Sequence, residues 1–63
     1  MNKFTIWYRS VPGMYEQYVT KAVVYADDQQ TAIDKGFNVI KKDFPERNRG
    51  MWKVDKIEVN YDD

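Results

Sequence analysis

The stretch that decides the fold runs from Asp27 to Pro45 and reads DDQQTAIDKGFNVIKKDFP. Its apolar residues recur three or four positions apart, which is the spacing of one face of an α-helix. We expect that face to pack in the core through Ile33, Phe37, Ile40 and Phe44, with the small residues Ala32 and Gly36 beside them. Glycine inside a helix costs up to about 1 kcal/mol relative to alanine. Gly36 therefore predicts close packing of the helix on a sheet.

The ends of this helix are marked by residues with capping properties. Asp27 or Asp28 should begin it, because a carboxylate accepts hydrogen bonds from the free N–H groups of the first turn. Asp27 with Gln30 resembles a capping box, in which two side chains satisfy these groups reciprocally. Pro45 prevents continuation, so we expect the helix to end near Asp43.

Two segments before the helix have the composition of β-strands. In the first, from Lys3 to Arg9, one face consists of Phe4, Ile6 and Tyr8, and the other of Lys3, Thr5, Trp7 and Arg9. The Pro12-Gly13 pair then predicts a type II turn, since proline fixes the first central φ and glycine accepts the positive second one. The second strand, about Gln17 to Ala26, has apolar residues on both faces, so its orientation stays open.

The last strand is predicted from about Met51 to Asn60, after a polar loop. Its apolar residues fall into two pairs of opposite phase, Trp52 with Val54 and Ile57 with Val59. One extra residue at Asp55-Lys56, a β-bulge, would bring all four side chains onto one face.

The element order β-β-α-β predicts an α+β domain: a three-stranded antiparallel sheet with one helix packed on one face. We expect residues 1–63 to form this single small binding domain. The first strand is placed in the centre, because a right-handed crossover from the second strand over the first to the third satisfies the handedness rule. The alternative puts the second strand in the centre, paired in parallel with the third.

Composition argues against catalysis. The chain contains no His and no Cys, whereas ten of its 63 residues are aromatic. The commonest general base, the most nucleophilic side chain and the soft metal ligands are therefore missing. We expect no enzymatic activity, no metal and no cofactor, but a binding protein, since Tyr and Trp are enriched in recognition surfaces. Without a membrane-spanning run or a signal-peptide pattern, we also expect a cytoplasmic protein.

Two surfaces are candidates for partner binding. Residues 41–56 contain six bases and three acids, whereas the rest of the chain contains four bases and seven acids. This basic edge, suited to an acidic protein surface or to phosphates, is centred on Lys56 and includes Arg47, Arg49 and Lys53. The second surface is the sheet face opposite the helix, with Trp7, and with Tyr25 if Ala22 and Val24 face the helix. A partner protein or a second copy, as in a homodimer, would cover it.

Two other function classes compete with a protein that binds another protein. The first is a nucleic-acid-binding module that uses residues 41–56, with Trp52 or Trp7 as stacking platforms. The formal net charge of zero argues mildly against it. The second is an oligomeric structural accessory protein.

Three motifs resemble the small phage-encoded inhibitors of bacterial RNA polymerase. The Lys3-Phe4 start, the Val24-Tyr25-Ala26-Asp27 entry into the helix and the strand from Trp52 to Glu58 match that family's pattern. The resemblance implies a phage-type protein that binds a host machine in the host cytoplasm, with RNA polymerase as the first candidate. The family's polymerase-binding arginines would fall on Lys56 and Glu58. Lys56 keeps the charge without the planar guanidinium, and Glu58 reverses it.

Overall fold

The computed structural model describes residues 1–10 and 19–60. It contains three strands, β1 (Asn2–Ser10), β2 (Val19–Ala26) and β3 (Trp52–Asn60), the helix α1 (Gln29–Asp43), and a 3-10 turn at Arg49–Met51. Met51 belongs to this turn rather than to the last strand. The predicted turn at Pro12-Gly13, the start of the second predicted strand and residues 61–63 lie outside the described residues.

The predicted architecture is confirmed. The strands form one sheet in the order β2-β1-β3, and β1 pairs antiparallel with both neighbours. The first strand is therefore central, and the alternative with a parallel pair of β2 and β3 is wrong. Because β2 and β3 lie at opposite edges of the sheet, the segment that contains α1 connects the two edges past the central strand β1.

The pairing of the strands places the side chains on two faces of the sheet. One is an apolar face on the side of α1, and the other is an outer face turned away from α1. On the apolar side, Ile6 of β1 pairs with Ala22 of β2 and Ile57 of β3. Ala22, Val24 and Ala26 are buried, which resolves the open orientation of the second strand. The buried apolar residues are Phe4, Ile6, Tyr8, Ala22, Val24, Ala26, Ala32, Ile40 and Trp52.

The predicted β-bulge is also confirmed. Trp7 pairs with Lys56 but Tyr8 pairs with Val54, so Asp55 is the extra residue in β3. The extra residue brings the two apolar pairs of β3 onto the same face of the sheet. Val54, Ile57 and Val59 all pack against the core as partly buried residues beside buried Trp52.

The helix begins one residue later than a capping box at Asp27 requires. Asp28 is the N-cap, and its Oδ1 accepts a 2.7 Å hydrogen bond from the Thr31 backbone N–H. This hydrogen bond lowers the pKa of the Asp28 carboxyl. Gln30 instead reaches forward to Asp34, at 3.4 Å between Nε2 and Oδ1. At the other end, the helix stops at Asp43 as predicted, and the N–H of Phe44 donates to the Ile40 carbonyl at 2.9 Å.

Tyr8 joins the central strand to the helix. Its side chain is fully buried, and its hydroxyl donates a 2.8 Å hydrogen bond to the carbonyl of Ile33. The ring lies against Gly36, where a Cβ would overlap the Tyr8 hydroxyl. The predicted role of Gly36 in close helix–sheet packing is thus confirmed. Phe37 packs on the Tyr8 ring with centroids 4.7 Å apart, but it is only partly buried.

Gly36→Ala should destabilise the protein although alanine is the better helix former. The propensity gain is at most about 1 kcal/mol, whereas forcing a methyl group into a packed contact costs about 1–3 kcal/mol. Chemical denaturation measures the difference, with Asn38→Ala as the control at an exposed helical position. A Gly36→Ala variant as stable as the parent would contradict the contact with Tyr8.

Burial raises the pKa of Tyr8 to about 12 from its ordinary value of 10.0, with Arg49 acting in the opposite direction and Asp34 in the same one. The folded state therefore favours the neutral phenol. The stability gained from this shift is complete below pH 10.0 and is lost as the pH rises through about 12.

Tyr8→Phe removes this titration. Between pH 10.0 and about 12, we expect the free energy of unfolding of the parent to fall more steeply with pH than that of the Tyr8→Phe variant. Equal slopes for the two proteins in denaturant titrations would refute the assignment.

Deleting Asp55 should leave the fold intact. Without it, Val54 and Lys56 become neighbours, and the same apolar residues keep their face by simple alternation. The loss is an exposed ion pair with Arg9, which contributes at most about 1 kcal/mol. Deleting Lys53 is the matched control, because it turns Trp52 to the outer face and should cost about 3–5 kcal/mol. Thermal melts compare the two deletions. If the variant without Asp55 melted at a lower temperature than the variant without Lys53, the bulge would be contradicted.

Candidate functional site

The outer face of the sheet, which is the side turned away from α1, gathers most of the predicted partner-binding residues. Four rows cross it from β2 through β1 to β3: Tyr25, Lys3 and Asn60; Val23, Thr5 and Glu58; Lys21, Trp7 and Lys56; and Val19, Arg9 and Lys53. The alternation of β1 and β2 and the bulge in β3 place these side chains on one side of the sheet.

Trp7 lies at the centre of this face between two lysines. Its neighbours across the strands are Lys21 and Lys56, and the Lys56 Nζ lies 5.1 Å from the centroid of the Trp7 ring. This distance is within the range of a cation–π interaction. Lys56 also pairs with Glu58, at 3.2 Å between Nζ and Oε1. The row therefore places an aromatic ring between two lysines, with the ammonium group of Lys56 near the ring.

The outer face carries an excess of positive charge. Its bases are Lys3, Arg9, Lys21, Lys53 and Lys56, and its acids are Glu58 and the bulge residue Asp55. Arg9 and Asp55 form an ion pair at 3.0 Å, with both side chains partly exposed. Among residues 1–10 and 19–60, the five bases and two acids of this face leave three net positive charges, on a protein whose total formal charge is zero.

Apolar side chains extend the face on the β2 side. Val19 is 56% exposed, Val23 47% and Tyr25 50%. The backbone carbonyl of Tyr25 accepts a 2.7 Å hydrogen bond from the Lys35 Nζ of α1. The outer face thus combines a positive field with the exposed side chains of Tyr25, Val19 and Val23.

The predicted basic edge is divided between two surfaces. Lys53 and Lys56 belong to the outer face, whereas Arg47 and Arg49 lie in the connection that runs along the helix side. The Arg49 guanidinium stands 4.7 Å from the Phe37 ring centroid and pairs with Asp34 of α1 at 2.7 Å. The Arg47 guanidinium stands 5.7 Å from the ring centroid of Trp52.

Trp52 is a core residue rather than a stacking platform. It is only 6% exposed, and its ring packs edge-on against Phe44 with centroids 5.3 Å apart. Of the two tryptophans, Trp7 is therefore the one placed on the outer face.

Sequence reasoning did not single out Lys3 and Lys21 as members of the site. The signal was present, because the alternation of the first strand puts Lys3 on the same side as Trp7. Lys21 needed the antiparallel register, since only cross-strand pairing shows that it stands beside Trp7.

Within residues 1–10 and 19–60, no group of three or more His, Cys, Asp or Glu side chains could hold a metal ion. No helix in the described part of the chain is both long and apolar enough to cross a membrane. Comparison with protein families, curated proteins and solved structures gives no match for this chain.

Proposed function

We propose that this chain is a non-enzymatic protein that binds a macromolecular machine through its outer face and inhibits or modulates it. The observation that carries the proposal is the row of Lys21, Trp7 and Lys56, which lies on a face whose described residues carry three net positive charges. Aromatic residues at the centre of a contact surface supply most of the binding energy in typical interfaces. Surrounding charges of one sign select a partner of the opposite sign.

An acidic protein surface suits the outer face better than a neutral one. The five bases would steer association, and the exposed Val19, Val23 and Tyr25 would be buried on contact. The site of action proposed for this chain is the cytoplasm, which for a phage-encoded protein is that of the host cell.

Bacterial RNA polymerase is the first candidate target. Support comes from the resemblance to phage-encoded polymerase inhibitors and from the position of Lys56, where that family carries a polymerase-binding arginine. Lys56 stands on the outer face beside Trp7. Glu58, at the second such position, is held in an ion pair with Lys56, so the pair would act as one unit.

Single-stranded nucleic acid is the second candidate partner. Trp7 between two lysines offers a stacking ring with cations on either side, which is an arrangement that binds bases and phosphates. Salt dependence separates the two candidates, because a phosphate binder loses affinity with a log–log slope of about −0.7 to −0.9 per phosphate contact. A second copy of this chain is a further candidate, and light scattering of the free protein measures it.

Lys21→Glu should weaken binding of the target while leaving the fold unchanged. The reversal places a negative charge beside Trp7 and opposes the acidic partner, so association should slow and affinity should fall about tenfold. The thermal melt should stay close to that of the parent, because exposed charges contribute little to stability. The measurement is surface-based binding kinetics on purified bacterial RNA polymerase, or on the protein that immobilised parent chain captures from a bacterial lysate.

Lys42→Glu is the matched control, because it makes the same change of charge at an exposed residue of α1. It should bind the target nearly as tightly as the parent. If both reversals weaken binding equally, the effect is one of total charge, and the outer face is not the contact surface.

A further inference from the structure

The free edge of β2 is one of two sheet edges that no other described strand covers. The sheet order β2-β1-β3 leaves β2 and β3 with one strand neighbour each among residues 1–10 and 19–60. Such edges are templates for pairing with another strand, and proteins protect them with bulges and charged side chains. The two edges of this sheet differ in how much of this protection they have.

The edge strand β3 has both kinds of protection, whereas β2 has little of either. The bulge at Asp55 interrupts β3, and the nine residues of this strand include four charged side chains, those of Lys53, Asp55, Lys56 and Glu58. The eight residues of β2 pair with β1 without a bulge, and Lys21 is the one charged residue among them. A further strand can therefore pair with β2 more readily than with β3.

The backbone groups that face the free edge of β2 belong to Val19, Lys21, Val23 and Tyr25. Along an antiparallel strand, residues alternate between bonding to the neighbouring strand and pointing their N–H and C=O away from it. The carbonyl of Tyr25 accepts its hydrogen bond from Lys35 of α1, which marks it as pointing away from β1. The other three residues follow by alternation. Val19, Val23 and Tyr25 also have exposed apolar side chains.

The flank of α1 at this edge has a charge pattern that is complementary to itself. Lys35, Val39 and Asp43 are four residues apart and so lie along one side of the helix. The bond from Lys35 to Tyr25 puts that side at β2, and Val39 is 40% exposed. In an antiparallel copy of the helix centred on Val39, each Lys35 stands opposite Asp43 of the other copy. The ammonium group has three donors, so Lys35 can pair with Asp43 and keep its bond to Tyr25.

The strand β2 is complementary to itself when two copies pair antiparallel about Ala22. Val19 of one copy then stands opposite Tyr25 of the other, and Lys21 stands opposite Val23. The two Lys21 side chains do not face each other, and apolar side chains meet across the junction on the outer face.

The two centres of symmetry, Ala22 in β2 and Val39 in α1, lie at a similar level along the sheet. The helix packs on β2 and runs back along it from the N-cap Asp28, two residues after Ala26 ends the strand. The strand covers about 13 Å from Ala26 to Ala22, and the helix rises about 16 Å from Asp28 to Val39. One two-fold axis beside β2 can therefore relate both patterns.

We propose that two copies of this chain form a dimer in which the β2 strands pair antiparallel about Ala22 and join the two sheets into one of six strands. The Val39 flanks of the two helices meet above the junction, with two reciprocal ion pairs between Lys35 and Asp43. The net formal charge of zero adds no overall repulsion between the copies. A chain this small also gains stability from burying more of its surface. The dimer does not depend on the partner proposed for the outer face.

Sedimentation equilibrium of the free protein measures the dimer. From about 10 µM to about 1 mM, the average mass should rise towards twice the 7.6 kDa of the chain. In a sample that mixes isotope-labelled and unlabelled copies, cross-peaks between copies should join the α-protons of Thr20 and Val24, which face each other in this register. A monomer throughout the range, or a dimer without these cross-peaks, overturns the proposal.

A charge swap on the helix flank provides the matched variants. Lys35→Glu and Asp43→Lys each bring like charges together, so each alone should raise the dissociation constant of the dimer about tenfold. The double variant restores both ion pairs in reverse, so its dissociation constant should return to within about threefold of that of the parent.

Lys41→Glu is the control for net charge, because it makes the same change as Lys35→Glu on another side of α1. Its dissociation constant should stay close to that of the parent. The proposal is overturned if the double variant dimerises no better than the single variants, or if Lys41→Glu weakens the dimer as much as Lys35→Glu does.

Discussion

Tyr8 of the central strand and Gly36 of the helix form the contact on which the rest of the structure depends. The Tyr8 ring occupies the space where any other residue at position 36 would place a side chain. Its hydroxyl bonds to the Ile33 carbonyl one turn earlier, so the phenol is anchored while its ring packs. In a domain of 63 residues that buries only about 60% of its unfolded surface, such a contact has a large share in holding the layers together.

The position of the helix determines what the two faces of the sheet can do. A single helix covers one side of the sheet, and the alternation of β1 and β2 assigns small and apolar residues to that side. The edge strand β3 achieves the same assignment only through the extra residue Asp55. The opposite side then carries lysines, an arginine, half-buried Trp7 and exposed Tyr25, which gives a surface that the helix does not cover. The proposed docking of an acidic partner uses that surface.

Local rules were sufficient to predict most of the fold. The end of the helix followed from Pro45, the central position of β1 from chain handedness, and the bulge from the phase conflict between Trp52 and Ile57. The sequence left Asp27 and Asp28 open as the N-cap, because both are carboxylates, and the structure assigns that role to Asp28. The capping box suggested for Asp27 and Gln30 is not formed, since Gln30 donates to Asp34. Four residues of the helix were expected in the core, but only Ile40 is buried, and Ile33, Phe37 and Phe44 pack against the core as partly buried residues.

The candidate sites could be predicted only in part, because charge along a sequence does not determine which surface a loop follows. Arg49 and Lys53 are four residues apart, yet Asp34 and Phe37 draw Arg49 to the helix side while strand alternation sends Lys53 to the outer face.

The contact between Tyr8 and Gly36 is tested most directly by nuclear Overhauser spectroscopy on the free protein in solution. Strong cross-peaks should join the Tyr8 ring protons to the Gly36 α-protons, because the ring carbons lie within van der Waals reach of that backbone position. If the helix and sheet are both formed but these cross-peaks are missing, the helix is seated elsewhere on the sheet. The division between a covered apolar face and an open outer face would then be wrong.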